Sequence, residues 1–292
     1  MKNELSFKNK SLKRIVNVYQ LNYKNNFATG FGDFLNGCFF LLQICRKFNL
    51  IFDIDISNHP ISKYFINNKP MQMINYNNIL FYNLNENIRS NKFLCYNNFI
   101  NNLNNIKGEN YYLFCNFDPI YNVQESGRNI IKNKLIPTLE IDERISNILS
   151  IFNLYINQFE IIHIRTGDKY LLNNKVLTEE DEIKYKEFLL KNTQNSINYI
   201  IISDNINLKN TLKKYNNYFI LDCEIGHCGE NIIHSDETLK NTVVDFFLMS
   251  KSKKITSISL KSRGGTGFSR LAAELFNIPY NSLLIDLGHH LY

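Results

Sequence analysis

Short β-forming apolar runs alternate with helix-periodic segments through both halves of this chain, which predicts an α/β protein made of two parallel sheets. At 292 residues the chain is long enough for two domains of ordinary size. A composition of 44% hydrophobic and 21% charged residues permits a packed core in each. The predicted domains are residues 1–150 and 151–292, with the boundary near residues 140–157.

The elements follow in order. Arg14 to Tyr19 reads as a strand, and a loop with Gly30 and Gly32 follows it. From Asp33 to Phe48, the residues Phe34, Cys38, Leu41, Leu42 and Cys45 recur at helical spacing on one face. Leu50 to Asp55 is a second strand, which completes a βαβ unit. Residues 58–110 give a poor signal, and Tyr111 to Cys115 is a further strand. Ile131 to Ile151 is predicted mostly helical, interrupted at Pro137. In the second half, strand Glu160 to Ile164 precedes a helix from Thr178 to Lys191. Thr178 is placed to cap that helix, and Glu179, Glu180 and Asp181 suit the positive end of its dipole. Strands at 199–202, 218–221 and 255–258 alternate with a short helix and a helix at 238–250. A last helix, Phe268 to Phe276, stops before Pro279.

Bulk properties narrow the function classes. Net charge is +6, with Lys and Arg scattered rather than massed, so no nucleic-acid partner is expected. Asn clusters such as 97–106 are interrupted by apolar residues and read as loops and solvated faces. The stretch Met1 to Arg14 lacks the apolar core of a signal peptide, and the run Cys38 to Leu42 is far too short to span a bilayer. A soluble, cytoplasmic protein without a transmembrane segment is the expectation. Six cysteines are spread through the chain and read mainly as buried thiols. Cys223, His227, Cys228 and His234 form a loose group, but C-x4-C is not a usual ligand pair, so no metal site is expected.

The chemistry concentrates in the second half. His163-Ile164-Arg165-Thr166-Gly167-Asp168 follows a strand, at the end where open parallel sheets bind ligands. A guanidinium there offers a rigid fork of donors for phosphate oxygens. Two more strand-end loops join it. Ser203-Asp204-Asn205 supplies a carboxylate for a base or ribose, and Ser262 to Ser269 supplies Gly264, Gly265, Thr266, Gly267 and a helix start. Free amides at a helix N-terminus suit an anion, so Arg165 and this last loop together predict a phosphate or pyrophosphate site.

These residues carry a resemblance. His163-x-Arg165-x-Gly167-Asp168 resembles the HxRxGD-type signature of fucosyltransferases of the α1,2, α1,6 and protein O-fucosyl group. Asp245 on its helix, followed by Thr266-Gly267-Phe268-Ser269 and Ala272-Ala273, is similar to that family's C-terminal motif. Ser203-Asp204 lies where its middle, nucleotide-facing motif lies, and Gly30 to Asn36 resembles its N-terminal Gly-rich loop and helix. The chain departs from the pattern at Asn205, where some members show a second acid, and at Thr266, where many have Ser.

The resemblance implies a GT-B fold, two Rossmann-like domains facing across a cleft, the first on the acceptor side and the second binding a nucleotide sugar. It implies a GDP-sugar donor, GDP-fucose above all, a glycan hydroxyl as acceptor, inversion at the sugar carbon, and no metal or other cofactor. Arg165 would pair with the β-phosphate and His163 would help place the phosphate or the loop. Asp204 would face guanine or ribose, and Asp245 and Gly32 would belong to the donor site. Thr266, Gly267, Phe268 and Ser269 would cradle the diphosphate, and Asn36 would reach over from the first domain. Asp168 is the carboxylate nearest to Arg165 in sequence, as an acceptor-activating base or as a brace for the loop.

Other readings compete. Gly30-x-Gly32 after a strand, with Asp53 about 20 residues on, is most of a dinucleotide fingerprint, although Leu35 stands at the third glycine position. That would make the chain an NAD-binding oxidoreductase. Asp53-x-Asp55 also resembles the DxD metal motif of other glycosyltransferases. The third alternative is a catalytically inactive GT-B module that binds a glycan or a protein.

Overall fold

A computed structural model of the chain describes residue 12 and residues 14–19, 22–23, 26–27, 30–67, 80–82, 92–105, 110–167, 177–226, 228, 235–261 and 266–287. The chain separates into two compact units, with the division between Ile136 and Pro137.

The first unit begins with β1 (Arg14–Val18) and a two-residue antiparallel pair, β2 (Asn22–Tyr23) and β3 (Asn26–Phe27). Helix α1 (Phe31–Phe48) then leads to β4 (Ile51–Asp55). Strand β5 (Leu80–Tyr82), α2 (Lys92–Asn104), β6 (Asn110–Cys115) and α3 (Glu125–Lys134) complete it. The sheet runs β4-β1-β6-β5, with every pair parallel. Helix α1 is buried from Phe31 to Cys45 except at Asp33, so its Phe, Leu, Ile and Cys side chains surround the whole helix instead of forming one stripe. It ends at Asn49 in the left-handed conformation, φ 55°, a standard way to stop a helix. Helix α3 starts at Glu125, before the predicted Ile131. Its first turn carries the buried Gly127, which lies against Leu42, Arg46 and Val123 and gives no apolar signal in the sequence.

The second unit comprises α4 (Leu139–Ile151), β7 (Glu160–Arg165), α5 (Glu179–Asn192), β8 (Tyr199–Ser203) and α6 (Ile206–Leu212). Strand β9 (Tyr218–Ile220), α7 (Asp236–Met249), β10 (Lys254–Leu260), α8 (Gly267–Phe276) and β11 (Tyr280–Ile285) follow. The sheet order is β11-β10-β7-β8-β9, again all parallel. One face buries Ile162, Ile164, Tyr199 and Ile201 against Tyr185, Leu189, Leu208 and Leu212 of α5 and α6. Side-chain caps set three helix starts: Thr178 accepts from the Asp181 N–H, Asn205 from Leu208 and Ser235 from Thr238.

Helix α4 was expected in the first domain but belongs to the second unit. Its Ile141, Ile145, Ile148 and Leu149 are buried, it packs on α7, and Glu140 pairs with Lys240 of α7 at 2.9 Å. Strand β11, absent from the sequence reading, is an edge strand. Three of its residues, Asn281, Ser282 and Leu284, are exposed, which removes the apolar pattern that marks a buried strand.

Candidate functional site

The strand order of the second sheet reverses between β7 and β10. The C-terminal ends of such a strand pair define the crevice where open parallel sheets bind ligands. Strand β7 ends in Arg165, and the register places Ser259 of β10 beside Arg165 and Ser257 beside His163.

Arg165 is held rather than loose. Its Nη1 donates to Asp204 Oδ2 at 2.9 Å, and the Asp204 side chain is fully buried while that of Arg165 keeps 20% exposure. The same carboxylate takes the turn after β7. Thr166 donates to Oδ1 from both its N–H and its hydroxyl at 2.8 Å, and the Gly167 N–H reaches Oδ2 at 3.2 Å. Gly167 has φ 114°, a conformation that L side chains rarely adopt, so the turn that brings its N–H to Asp204 calls for glycine. Each Asp204 oxygen therefore takes two hydrogen bonds from this loop. Asp204 thus braces Arg165 and its turn, and the next residue, Asn205, caps α6. Asp168, the other candidate brace, lies outside the described residues.

His163 sits beneath the same turn. Its Nδ1 is 3.0 Å from the Ser269 hydroxyl, and its ring lies 5.7 Å from that of Phe268, so it ties β7 to the first turn of α8. Burial pulls its pKa down to about 4, against the pull of Asp204 and with that of Arg165, and the ring is neutral at pH 7. Thr266 takes the N-cap position of α8 without a side-chain cap bond. No acid occupies the first turn. Among the described residues no side chain caps the N–H groups that open α8, which suits an anion. Ser262, Gly264 and Gly265 lie outside the described residues.

Asp245, on α7, is 2% exposed, and its Oδ1 has no hydrogen-bond partner. Burial pushes its pKa up to about 7, with Lys209 pulling the other way. Lys209 is itself buried and donates to the Leu221 and Cys223 carbonyls at 3.3 and 2.6 Å. Asn241 and Thr242 hold the same loop, through the Glu224 carbonyl at 3.0 Å and the Gly226 N–H at 2.9 Å.

The structure therefore brings Arg165 onto Asp204, and His163 onto Phe268 and Ser269, with β7 carrying both His163 and Arg165. Gly32 and Asn36 lie buried on α1 in the first unit. Two groups escaped the sequence reading. Ser259 is fully buried with an unpartnered hydroxyl, and only the strand register points to it. Lys209 looks like an ordinary surface lysine of a polar helix.

The rival sites in the first unit find their acids in use. Asp53 pairs with Lys134 at 2.7 Å and Arg14 at 3.7 Å, and Asp55 accepts from the Ser57 N–H and hydroxyl at 2.9 and 2.6 Å. The end of β1 is filled by Tyr19, whose ring stacks between His59 at 4.0 Å and Phe34 at 4.3 Å. These contacts leave neither a ribose-binding acid nor a DxD pair. Burial pushes the thiols of Cys223 and Cys228 up to about 12, while His227 and His234 lie outside the described residues.

Two parallel-sheet units with these strand orders form a fucosyltransferase-like fold of the GT-B type, shared with solved structures over most of the chain. The fucosyltransferase NodZ from Bradyrhizobium is 13% identical, with 96% of this chain and 98% of that one covered at a TM-score of 0.52. NodZ alpha-1,6-fucosyltransferase co-crystallized with GDP is 11% identical over 90% and 92%, at 0.50. A mutant of Arabidopsis thaliana FUT1 in complex with GDP is 10% identical over 95% and 72%, at 0.54. No family model and no curated protein matches the sequence.

Proposed function

We propose that this protein is a glycosyltransferase that moves a sugar, fucose in the first instance, from a GDP-sugar to a glycan hydroxyl, with inversion and without a resident metal. The observation that carries this reading is the strand-end Arg165, braced by a buried carboxylate, on the strand that His163 ties to the first turn of α8, whose N-cap Thr266 makes no side-chain cap bond. The solved structures of similar fold that hold GDP support the choice of nucleotide.

In this reaction the acceptor oxygen attacks the sugar carbon from the face opposite the phosphate. The carbon–oxygen bond to the β-phosphate breaks, GDP leaves with the electron pair, and the acceptor proton passes to a base or to water. Negative charge grows on the β-phosphate as the bond breaks. Arg165 and the amides of Gly267, Phe268 and Ser269, with Thr266 at the cap, meet that charge in fixed positions and stabilise the transition state more than the ground state. This is the charge neutralisation that a metal supplies in other transferases, which is the ground for the metal-independent reading. His163, neutral and bonded to Ser269, keeps α8 in register with Arg165. Asp204 holds the Arg165 turn. Asp245, with one unpartnered oxygen, is the acceptor for the N–H donors of guanine. Asp168 is the proton acceptor or a second brace.

The test is a thermal-shift comparison of GDP, UDP, ADP and NAD, each with and without EDTA, followed by transfer from GDP-fucose. A ligand that binds only the folded state raises the melting temperature. GDP-selective, EDTA-insensitive stabilisation supports the reading. A shift with NAD alone, or a UDP shift that EDTA removes, overturns it.

A further inference from the structure

The five strands of the second sheet are parallel, so their N-terminal ends share one edge, opposite the edge that carries Arg165. Backbone hydrogen bonds join the loops there into one surface. The Asn157 N–H donates to the Lys251 carbonyl and Lys253 to Phe159, both at 2.8 Å, while Glu160 reaches Asn198 and Tyr199 reaches Asn217 at 3.0 and 2.9 Å.

The charge on this edge is of one sign. Residues 151–159, 191–198, 213–217, 250–254 and 277–279 contain Lys191, Lys213, Lys214, Lys251, Lys253 and Lys254 and not a single Asp or Glu. Lys254 faces the buried Glu160 at 3.8 Å, and Lys213 pairs with Asp222. Among the described residues no ion pair engages Lys191, Lys214, Lys251 or Lys253. Lysines beyond helix C-termini complement the helix dipole, which accounts for part of this pattern. It does not account for the apolar side chains beside them. Ile151, at the end of α4, and Tyr155 and Ile156, in the turn bonded to Lys251, are 78%, 64% and 55% exposed.

We propose that this edge is a docking face for an anionic lipid surface. A polar polyanion rewards the lysines alone. A bilayer of anionic lipids rewards both sets of residues, because lysines reach the headgroups while Ile and Tyr enter the headgroup–acyl boundary. Bound this way, the sheet stands with its Arg165 edge roughly 20 Å from the lipid, the length of one strand. The inference does not rest on the identity of the ligand at Arg165.

The experiment is co-sedimentation of the intact protein with vesicles of phosphatidylcholine alone and of phosphatidylcholine with phosphatidylserine, over a range of salt. The wild type is expected to bind the phosphatidylserine vesicles, with a fraction that resists salt. Lys251→Glu with Lys253→Glu is expected to weaken that binding about tenfold or more. Tyr155→Ser with Ile156→Ser is expected to remove the salt-resistant fraction. Circular dichroism melts confirm that both variants fold. Equal binding to the two vesicle types, no binding to either, or phosphatidylserine binding that is unchanged in both variants overturns the proposal. So does binding that salt abolishes entirely and that the Tyr155/Ile156 variant leaves intact, which marks a general polyanion surface.

Discussion

Both units contain a point where the strand order reverses, β1 beside β6 in the first and β7 beside β10 in the second, and the two points are built in opposite ways. In the first, Asn17 closes the gap. Its Oδ1 accepts from the Cys115 N–H at 3.0 Å, and its Nδ2 lies within reach of the Cys115 and Phe34 carbonyls at 3.4 and 3.5 Å. Helix α1 presses so closely that a Cβ on Gly37 would stand 1.6 Å from the Cys115 carbonyl oxygen. Tyr19, His59 and Phe34 fill the space above. In the second, buried polar groups stay open or prop up others: Asp204 props Arg165, His163 props α8, and the Ser259 hydroxyl has no partner among the described residues. A parallel sheet offers a crevice at each reversal, but it becomes a ligand site only where side chains leave donors and acceptors unsatisfied.

The largest expected effect is at Arg165. Arg165→Ala should abolish transfer and weaken GDP binding by ~2–4 kcal/mol, with a lowered melting temperature because the buried Asp204 loses its ion pair, as calorimetric titration and thermal melts will show. Turnover near wild type would return the donor site to an open question. Gly37→Ala tests the sealed point, where backbone stands in the way of the new methyl. A loss of ~3 kcal/mol or more in urea unfolding is expected, with no direct effect on GDP affinity in the folded fraction.

Two buried titrating groups of the second unit give opposite pH trends. His163 has a folded pKa of about 4 against 6.5, so its contribution is complete above 6.5 and is lost as pH falls through 4. Asp245 has a folded pKa of about 7 against 3.8, so its contribution is complete below 3.8 and is lost as pH rises through 7. Urea midpoints measured between pH 4 and 7 should therefore lose their acid-side fall in His163→Gln and their neutral-side fall in Asp245→Asn, each on the order of 3 kcal/mol. The smallest effect is at Ser259. Ser259→Ala removes a buried unpartnered hydroxyl and should leave stability unchanged or raise it by less than ~1 kcal/mol. A fall in GDP affinity in the same variant would place Ser259 in the donor site.

The open point was more legible in the sequence than the sealed one. Arg165 at a strand end, Gly167 in its turn and the α8 start at Thr266 are local signals, and the fold preserves them. The role of Asp204 was not legible, because a Ser-Asp-Asn after a strand looks the same whether the acid faces a ligand or a loop 39 positions away. Gly30, Gly32 and Asp53 read as a dinucleotide fingerprint because spacing is local, whereas the Lys134 pairing and the Tyr19 stack that fill that region come from distant parts of the chain.

By itself the sequence determined the alternation of strands and helices, two parallel sheets, the cap at Thr178, and an arginine at the end of β7. These depend on side-chain period and on contacts within a turn or two. Only the tertiary structure decided which reversal is sealed, that Asp204 is a brace, that His163 is neutral, and that α4 belongs with the second unit. Each of those rests on groups far apart in the chain, 98 positions for Asn17 and Cys115 and 106 for His163 and Ser269. Burial at such contacts sets hydrogen bonding and charge state, and residue spacing along the chain carries no record of it.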